Sequence, residues 1–333
     1  MSRWIKYIIF SGATLLIAGL SILGYDFYQL FYKPMLVETQ VPVIIQIDKA
    51  TGASSFANNL KNQNLIKSTR LLLSYIRMKG LASKLKAGIY QVQPGESVGL
   101  LLDRVIAGDV LVQSFSIIEG MTQNQISARL KQAPYLNYQE SDWLPISNAF
   151  SSAEGMLLAD TYYYDAGSDS KSMLARAHYN LLQYLEQSWK NRDQGLPYKS
   201  SYELLITASI LEKETALPQE RRLIAGVIVN RLKKNMPLQM DPTVIYGLGA
   251  KYTGSLSHED MQIDSPYNSY RYRGLPPTPI AMVSKEAIDA AAHPQQTAFL
   301  YFVSRGDGSH QFSVTYDQQR QAIDRYLRNA NAK

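Results

Sequence analysis

The chain has 333 residues, 46% apolar and 19% charged, with a net charge of +6 and no cysteine. That apolar share sustains packed cores over about two domains and excludes a chain that is disordered throughout. The missing cysteine removes disulfides, thiolate catalysis and cysteine-ligated zinc, and the mild charge excess, with no Lys/Arg block, argues against a nucleic-acid partner.

Tyr7 to Tyr25 (YIIFSGATLLIAGLSILGY) carries no charge. As a helix rising about 1.5 Å per residue it just spans a hydrocarbon core. Arg3 and Lys6 precede it and Asp26 follows. The positive-inside rule then keeps the N-terminus in the cytoplasm and places the body outside. The apolar stretch exceeds a signal-peptide core and runs on without a small-residue cleavage site, which favours an uncleaved anchor. Residues 1–33 are therefore expected to form a cytoplasmic tip, a single-pass anchor in the cytoplasmic (inner) membrane and a juxtamembrane linker, with a periplasmic body. Lys33-Pro34 is expected to open an extended segment.

VPVIIQI (Val41–Ile47) is rich in β-branched residues and predicts a strand. Ser54–Gln63 predicts a helix capped by Ser54, and Ser68–Gly80 a second helix with Ser at its start and Gly at its end. Leu85–Val92 predicts a strand, turned by Pro94-Gly95, and Glu96–Gly108 a third helix closed by Gly108. Residues 41–93 thus read as a strand–helix–helix–strand unit with an appended helix. Such a unit suits a mixed α/β adaptor or a LysM-type glycan binder. Val110–Ile118 predicts another strand, followed by a helix capped by Thr122. A helical pattern returns at Lys171–Lys190.

Tyr202–Thr215 and Gln219–Lys233 predict two helices broken near Leu217-Pro218. The first is apolar nearly all round, so it is expected to be buried. It carries Glu212 and Glu214, about 160° apart around the axis, so the two cannot act on one bond together. One can face a cleft while the other meets solvent or a salt bridge. Glu214 shares its face with Thr207, Ile210 and Leu211. A carboxyl in such a half-apolar niche is held protonated towards neutral pH and can serve as a general acid. The plain alternative is a Glu paired with Arg221 or Arg222. Lys234–Ser284 predicts a long loop. It offers Gln239, Asp241, Thr243 and Tyr246, then Tyr267, Asn268 and Tyr270. Aromatic faces among amides, hydroxyls and a carboxylate suit sugar rings, and Tyr outnumbers Phe by 23 to 9. The alternative is a proline-braced structural loop. Lys285–Ala292 predicts a helix, Ala298–Ser304 a buried strand and Tyr316–Asn331 a terminal helix. The four histidines, at 178, 258, 293 and 310, show no metal-ligand spacing and are expected in ordinary hydrogen bonds. The whole reads as an α+β protein, with no cofactor motif.

Several ordered motifs carry a family resemblance. They are Lys86-Ala87-Gly88-Ile89-Tyr90, Ile118-Glu119-Gly120-Met121, Glu154-Gly155 with Asp160-Thr161-Tyr162, and Gly195-Leu196-Pro197-Tyr198. They continue in ASILEKET (Ala208–Thr215), VNRL (Val229–Leu232), LQMDPTVIYG (Leu238–Gly247), YNSY (Tyr267–Tyr270), GLPP (Gly274–Pro277), AAHP (Ala291–Pro294) and LYFV (Leu300–Val303). In these the chain resembles the endolytic murein transglycosylases, the MltG or YceG-like family, from about residue 40 onward. Ala159 stands where relatives often have Pro, and Thr278 where Gly is common.

The resemblance implies a LysM-like subdomain at residues 34–109 and a transglycosylase catalytic domain at 110–333. It implies Glu214 as the catalytic residue, acting on the MurNAc–GlcNAc bond of nascent peptidoglycan strands to leave 1,6-anhydro-MurNAc ends. Gln239, Asp241, Thr243, Tyr246, Tyr267, Asn268 and Tyr270 are the expected glycan-binding residues. No metal or other cofactor is implied, and cell-wall synthases (penicillin-binding proteins) are the expected protein partners. The competing reading is a non-catalytic peptidoglycan-binding scaffold. A pyridoxal-phosphate lyase, an older label for such sequences, would need a phosphate-cradling loop that the sequence does not offer.

Overall fold

The computed structural model describes residues 3–150 and 152–328. Expectations for the first two residues and for the end of the terminal helix lie outside these. Two compact units result, Met1–Gln113 with Asp165–Ser168, and Ser114–Tyr164 with Asp169–Lys333.

The first unit opens with helix α1, Arg3–Tyr32. Its stretch Phe10–Tyr32 is long and apolar enough to cross a membrane. Strand β1 (Val43–Ile47), helices α2 (Ala53–Asn62) and α3 (Thr69–Met78), strand β2 (Gly88–Val92) and helix α4 (Val98–Ala107) follow. β1 and β2 pair antiparallel, Val43 opposite Val92 and Ile47 opposite Gly88. Ile45, Ile47, Tyr90 and Val92 meet Phe56, Leu60, Leu72, Ile76 and Leu101 in one core. Ser68 caps α3, Ser97 caps α4 and Gly108 closes α4. The cap of α2 differs from expectation. It is Gly52 with extended backbone and no side-chain bond, and Ser54 lies inside the first turn.

α1 runs seven residues beyond Tyr25, to Tyr32, and leaves helical structure at Lys33-Pro34; its end is part of the core. Phe31 is buried, its ring 4.4 Å from that of Tyr75, and Phe27 lies 6.0 Å from Tyr75. Gly99 on α4 permits this approach, because a Cβ there would sit 3.1 Å from the Phe31 carbonyl oxygen. Past Pro34, the Met35 N–H donates to Glu96 O, so the chain stays bound. Aromatic residues suited to an interface belt serve equally well as core, and here packing decides their role.

Strand β3 (Val112–Ile117) leads into the second unit. Helices α5 (Gln123–Leu130) and α6 (Leu144–Phe150), strand β4 (Asp160–Asp165) and helices α7 (Ser170–Asn191), α8 (Ser201–Glu214) and α9 (Pro218–Lys233) come next. Helices α10 (Asp241–Leu248) and α11 (Lys285–Ala292), the hairpin β5 (Tyr301–Ser304) and β6 (His310–Ser313), and helix α12 (Tyr316–Ile323) complete it. α7, α9, α10 and α11 all pack on α8, which is why Leu204 to Leu211 are buried without a break. The expected long loop contains α10, and the expected buried strand begins only at Tyr301 and is half-buried. The architecture is mixed α/β with one N-terminal apolar helix.

Candidate active site

α8 is capped by Ser200, whose hydroxyl accepts from the Glu203 N–H, and ends at Glu214, where Thr215 turns extended. The Thr215 hydroxyl accepts from the Leu217 N–H, and Pro218 opens α9, where its missing N–H costs nothing. This tight reversal fixes three neighbouring charges differently. Glu212 points inward and is satisfied. It accepts from Arg221 at 3.3 Å, from the Ser284 N–H at 2.8 Å and from the Ser284 hydroxyl at 2.5 Å. Lys213 is exposed and donates to the Gly120 carbonyl at 3.2 Å. Glu214 is left without such partners. The side chain is partly accessible, yet Oε2 is enclosed and has no hydrogen-bond partner among the described residues. Of the alternatives that the sequence left open, Arg221 pairs with Glu212, not with Glu214.

A carboxylate oxygen shut off from water without a hydrogen-bond partner is costly, so the group holds its proton. Burial, with the Asp241 charge adding to it, pushes Glu214 from 4.5 up to about 8. Asp241 opens α10 and is exposed, and the Tyr270 hydroxyl donates to it at 2.5 Å. Burial and this bond to Asp241 both raise the Tyr270 phenol. Arg231 is buried behind this pair. Its guanidinium donates to the carbonyls of Pro237, Leu238 and Leu300 and to Gln239 Oε1. Gln239 is exposed and takes a left-handed φ of 53°, held by its N–H bond to Ser269 O. Tyr246 and Tyr267 are half-buried, their rings 4.7 Å apart.

Two of the predicted binding residues are not brought to the surface. Asn268 is fully buried, and its amide clamps the loop by donating to Met261 O and Ile263 O and accepting from the Tyr270 N–H. Thr243 is fully buried, bonded to Met240 O and Ser269 Oγ. Both brace the chain that presents Gln239, Asp241 and Tyr270. Sequence reasoning singled out neither Arg231 nor Glu154 as site residues. Glu154 is buried, accepts from the Gln123 N–H and the Tyr246 hydroxyl, and is pushed by burial to about 7. Gly155 beside it has a left-handed φ of 72° and packs on Pro279, where a Cβ would come within 2.3 Å. Glu154-Gly155 ahead of Asp160-Thr161-Tyr162, among the motifs that carry the family resemblance, was the available signal.

The histidines serve locally: His178 on Met156 O, His258 on Gln262, His293 on Asp193 and His310 on Glu220. Among the described residues no group of three or more His, Asp or Glu is placed to hold a metal ion. A groove of about 610 Å³ between α7, β4 and the start of α11 contains none of the predicted residues.

The profile of the YceG-like family matches residues 45–325. The chain is 30% identical over 329 residues to a Bacillus subtilis protein named endolytic murein transglycosylase, covering 90% of this chain and 89% of that protein. It is 28% identical to a protein of the same name from Streptococcus pneumoniae D39, over 90% of this chain and 60% of that longer relative. In the solved structures, a YceG-like protein from Listeria monocytogenes shares the fold with a TM-score of 0.53 at 24% identity, over 85% of this chain and all of that one. With a profile match across most of its length and a 30% identical relative aligned nearly end to end, the chain belongs to the YceG-like family.

Proposed function

We propose that the protein is a membrane-anchored lytic transglycosylase that cuts peptidoglycan glycan strands internally, with Glu214 as its general acid and then its base. One observation carries this reading: a carboxyl at the end of a buried helix, protonated near neutral pH, with one oxygen enclosed and unpartnered. Glu214 donates its proton to the oxygen between MurNAc and GlcNAc as that bond breaks. Positive charge develops at the MurNAc C1. The carboxylate then takes the proton of the MurNAc C6 hydroxyl, whose oxygen attacks C1 and closes a 1,6-anhydro ring. No water enters, and Glu214 ends protonated as it began. Hydrolytic glycosidases generally need a second carboxylate to deliver water or to attack. An internal hydroxyl removes that need, so a single residue suffices for both proton transfers. The Asp241 charge keeps the acid form of Glu214 populated, and Tyr270, Gln239, Tyr246 and Tyr267 offer hydroxyls, an amide and ring faces to the glycan.

In this reading α1 spans the cytoplasmic membrane with its N-terminus inside, and the body works outside on newly made strands beside cell-wall synthases. Residues 34–109 serve as a LysM-like glycan-holding module and residues 110–333 as the catalytic domain. The test is mass spectrometry of peptidoglycan treated with the full chain in detergent micelles, beside Glu214→Gln. Anhydro-MurNAc ends are expected from the wild type alone. Reducing ends would mean that water is the acceptor and would overturn the one-carboxylate scheme. Equal cleavage by a folded Gln variant would overturn Glu214, and glycan binding without cleavage by either would favour the scaffold reading.

A further inference from the structure

Glu154 is 5% exposed and plays no part in the scheme above. Both its oxygens face the N–H of Gln123, the first residue of α5, at 3.0 and 3.2 Å. Oε2 also accepts from the Tyr246 hydroxyl at 3.2 Å. Tyr246 lies on α10, about 8 Å along the axis from Asp241. Its ring meets that of Tyr267 with centroids 4.7 Å apart and planes inclined by 60°. The Tyr267 hydroxyl in turn shares a 2.8 Å bond with Thr278, which donates to Pro279 O. A continuous run of hydrogen bonds and one ring contact therefore ties α5, the Glu154–Gly155 turn, α10 and the loop 265–279 together. Both rings are only half-buried, so each keeps open surface.

We propose that Glu154 is a positioning residue for a glycan subsite beside the reacting bond: it fixes the Tyr246 phenol, and with it the Tyr246–Tyr267 pair, as the face on which an N-acetylated sugar ring stacks. The inference rests on the reading of the chain as an enzyme of glycan strands. A phenol tied at its hydroxyl cannot swing, so its ring is pre-organised, and pre-organisation lowers the cost of binding. Apolar C–H faces of a sugar then meet the ring while its hydroxyls bond to polar neighbours. Burial pushes the Glu154 carboxyl up to about 7, and the bonds from the Gln123 N–H and the Tyr246 hydroxyl offset part of the cost of its buried charge.

The test uses the full chain in detergent micelles and a soluble, uncrosslinked GlcNAc–MurNAc oligosaccharide. Cleavage is followed for KM and kcat, and affinity is measured by calorimetry with Glu214→Gln as background, so that binding is read without turnover. Glu154→Ala is expected to weaken affinity and raise KM about tenfold while kcat stays within about twofold, the pattern of a lost ground-state contact. Glu154→Gln keeps an accepting oxygen and should stay within about threefold of wild type. Tyr246→Phe should weaken binding as Glu154→Ala does, and the double variant should be no weaker than either alone. Full additivity of the two, or a fall in kcat at unchanged KM, would overturn the proposal. If Glu154→Ala fails to fold, unchanged binding by Tyr246→Phe overturns it alone. If the wild type cleaves nothing but the binding order holds in the Glu214→Gln background, the subsite stands and the catalytic reading falls.

Discussion

Glu212, Lys213 and Glu214 show how a helix sorts neighbouring charges. One turns to a largely enclosed arginine and a serine, one to solvent and one to an enclosure without partners. The last arrangement has a measurable signature. Glu214 and Glu154 titrate near 8 and 7 in the fold, both above the ordinary carboxyl value. The folded chain therefore binds more protons than the unfolded chain between about pH 4.5 and 8, and each unit of displacement is worth about 1.4 kcal/mol. Their contribution to stability is complete below the ordinary carboxyl pKa and is lost as pH rises through the folded values. Thermal melts should fall from pH 5 to pH 8.5 in the wild type and fall less in Glu214→Gln. A parallel fall in the two proteins would show that Glu214 is not raised. The sequence made the Glu214 niche legible because the surrounding residues are apolar at helical spacing. It could not show which glutamate Arg221 would take, since that depends on how α9 reverses against α8.

The reversal also gives Glu212 a role between elements. It joins the end of α8 to Arg221 on α9 and to Ser284, the N-cap of α11, and its side chain is only 2% exposed. Removing it would leave the Arg221 charge buried and unpaired, which typically costs about 3–5 kcal/mol. Glu212→Ala should lower the unfolding free energy of the second unit, read from urea melts, by that amount, whereas Lys213→Ala should change it by under about 1 kcal/mol. Equal midpoints for both variants would remove the buried pair as a structural link. Helix α8 was readable as buried because it has no polar stripe. Helix α10 was not, because Asp241-Pro242 reads as a turn signal. Proline in the first turn interrupts no hydrogen bond, so the same dipeptide starts a helix once Ser269 holds the Met240 N–H. Asn268 and Thr243 looked like binding residues for a similar reason. Their chemistry suits a sugar, but the chain folds so that it serves the backbone instead.

At the scale of the molecule, the apolar helix and a small strand–helix–helix–strand body were legible from hydropathy and turn residues. The way they join was not, because Phe27, Phe31 and Tyr32 look alike to an interface and to a core. A chain beginning at Pro34 lacks Phe31 and bares the surface of Tyr75 and Gly99, while one beginning at Asp26 keeps the contact. Deleting a buried Phe costs about 3–5 kcal/mol. The Pro34 chain should therefore lose several degrees in the first melting transition relative to the Asp26 chain, and identical first transitions would mean that the end of α1 adds nothing. Continuity from the apolar stretch to the core has a rotational consequence. A slack tether would absorb an added residue, but an unbroken helix turns by about 100° for each one. With α1 as the proposed anchor, lengthening it by a single residue before Phe27 would turn the small body by that angle relative to the face of the spanning segment, and only insertions that restore a near-whole number of turns would bring it back.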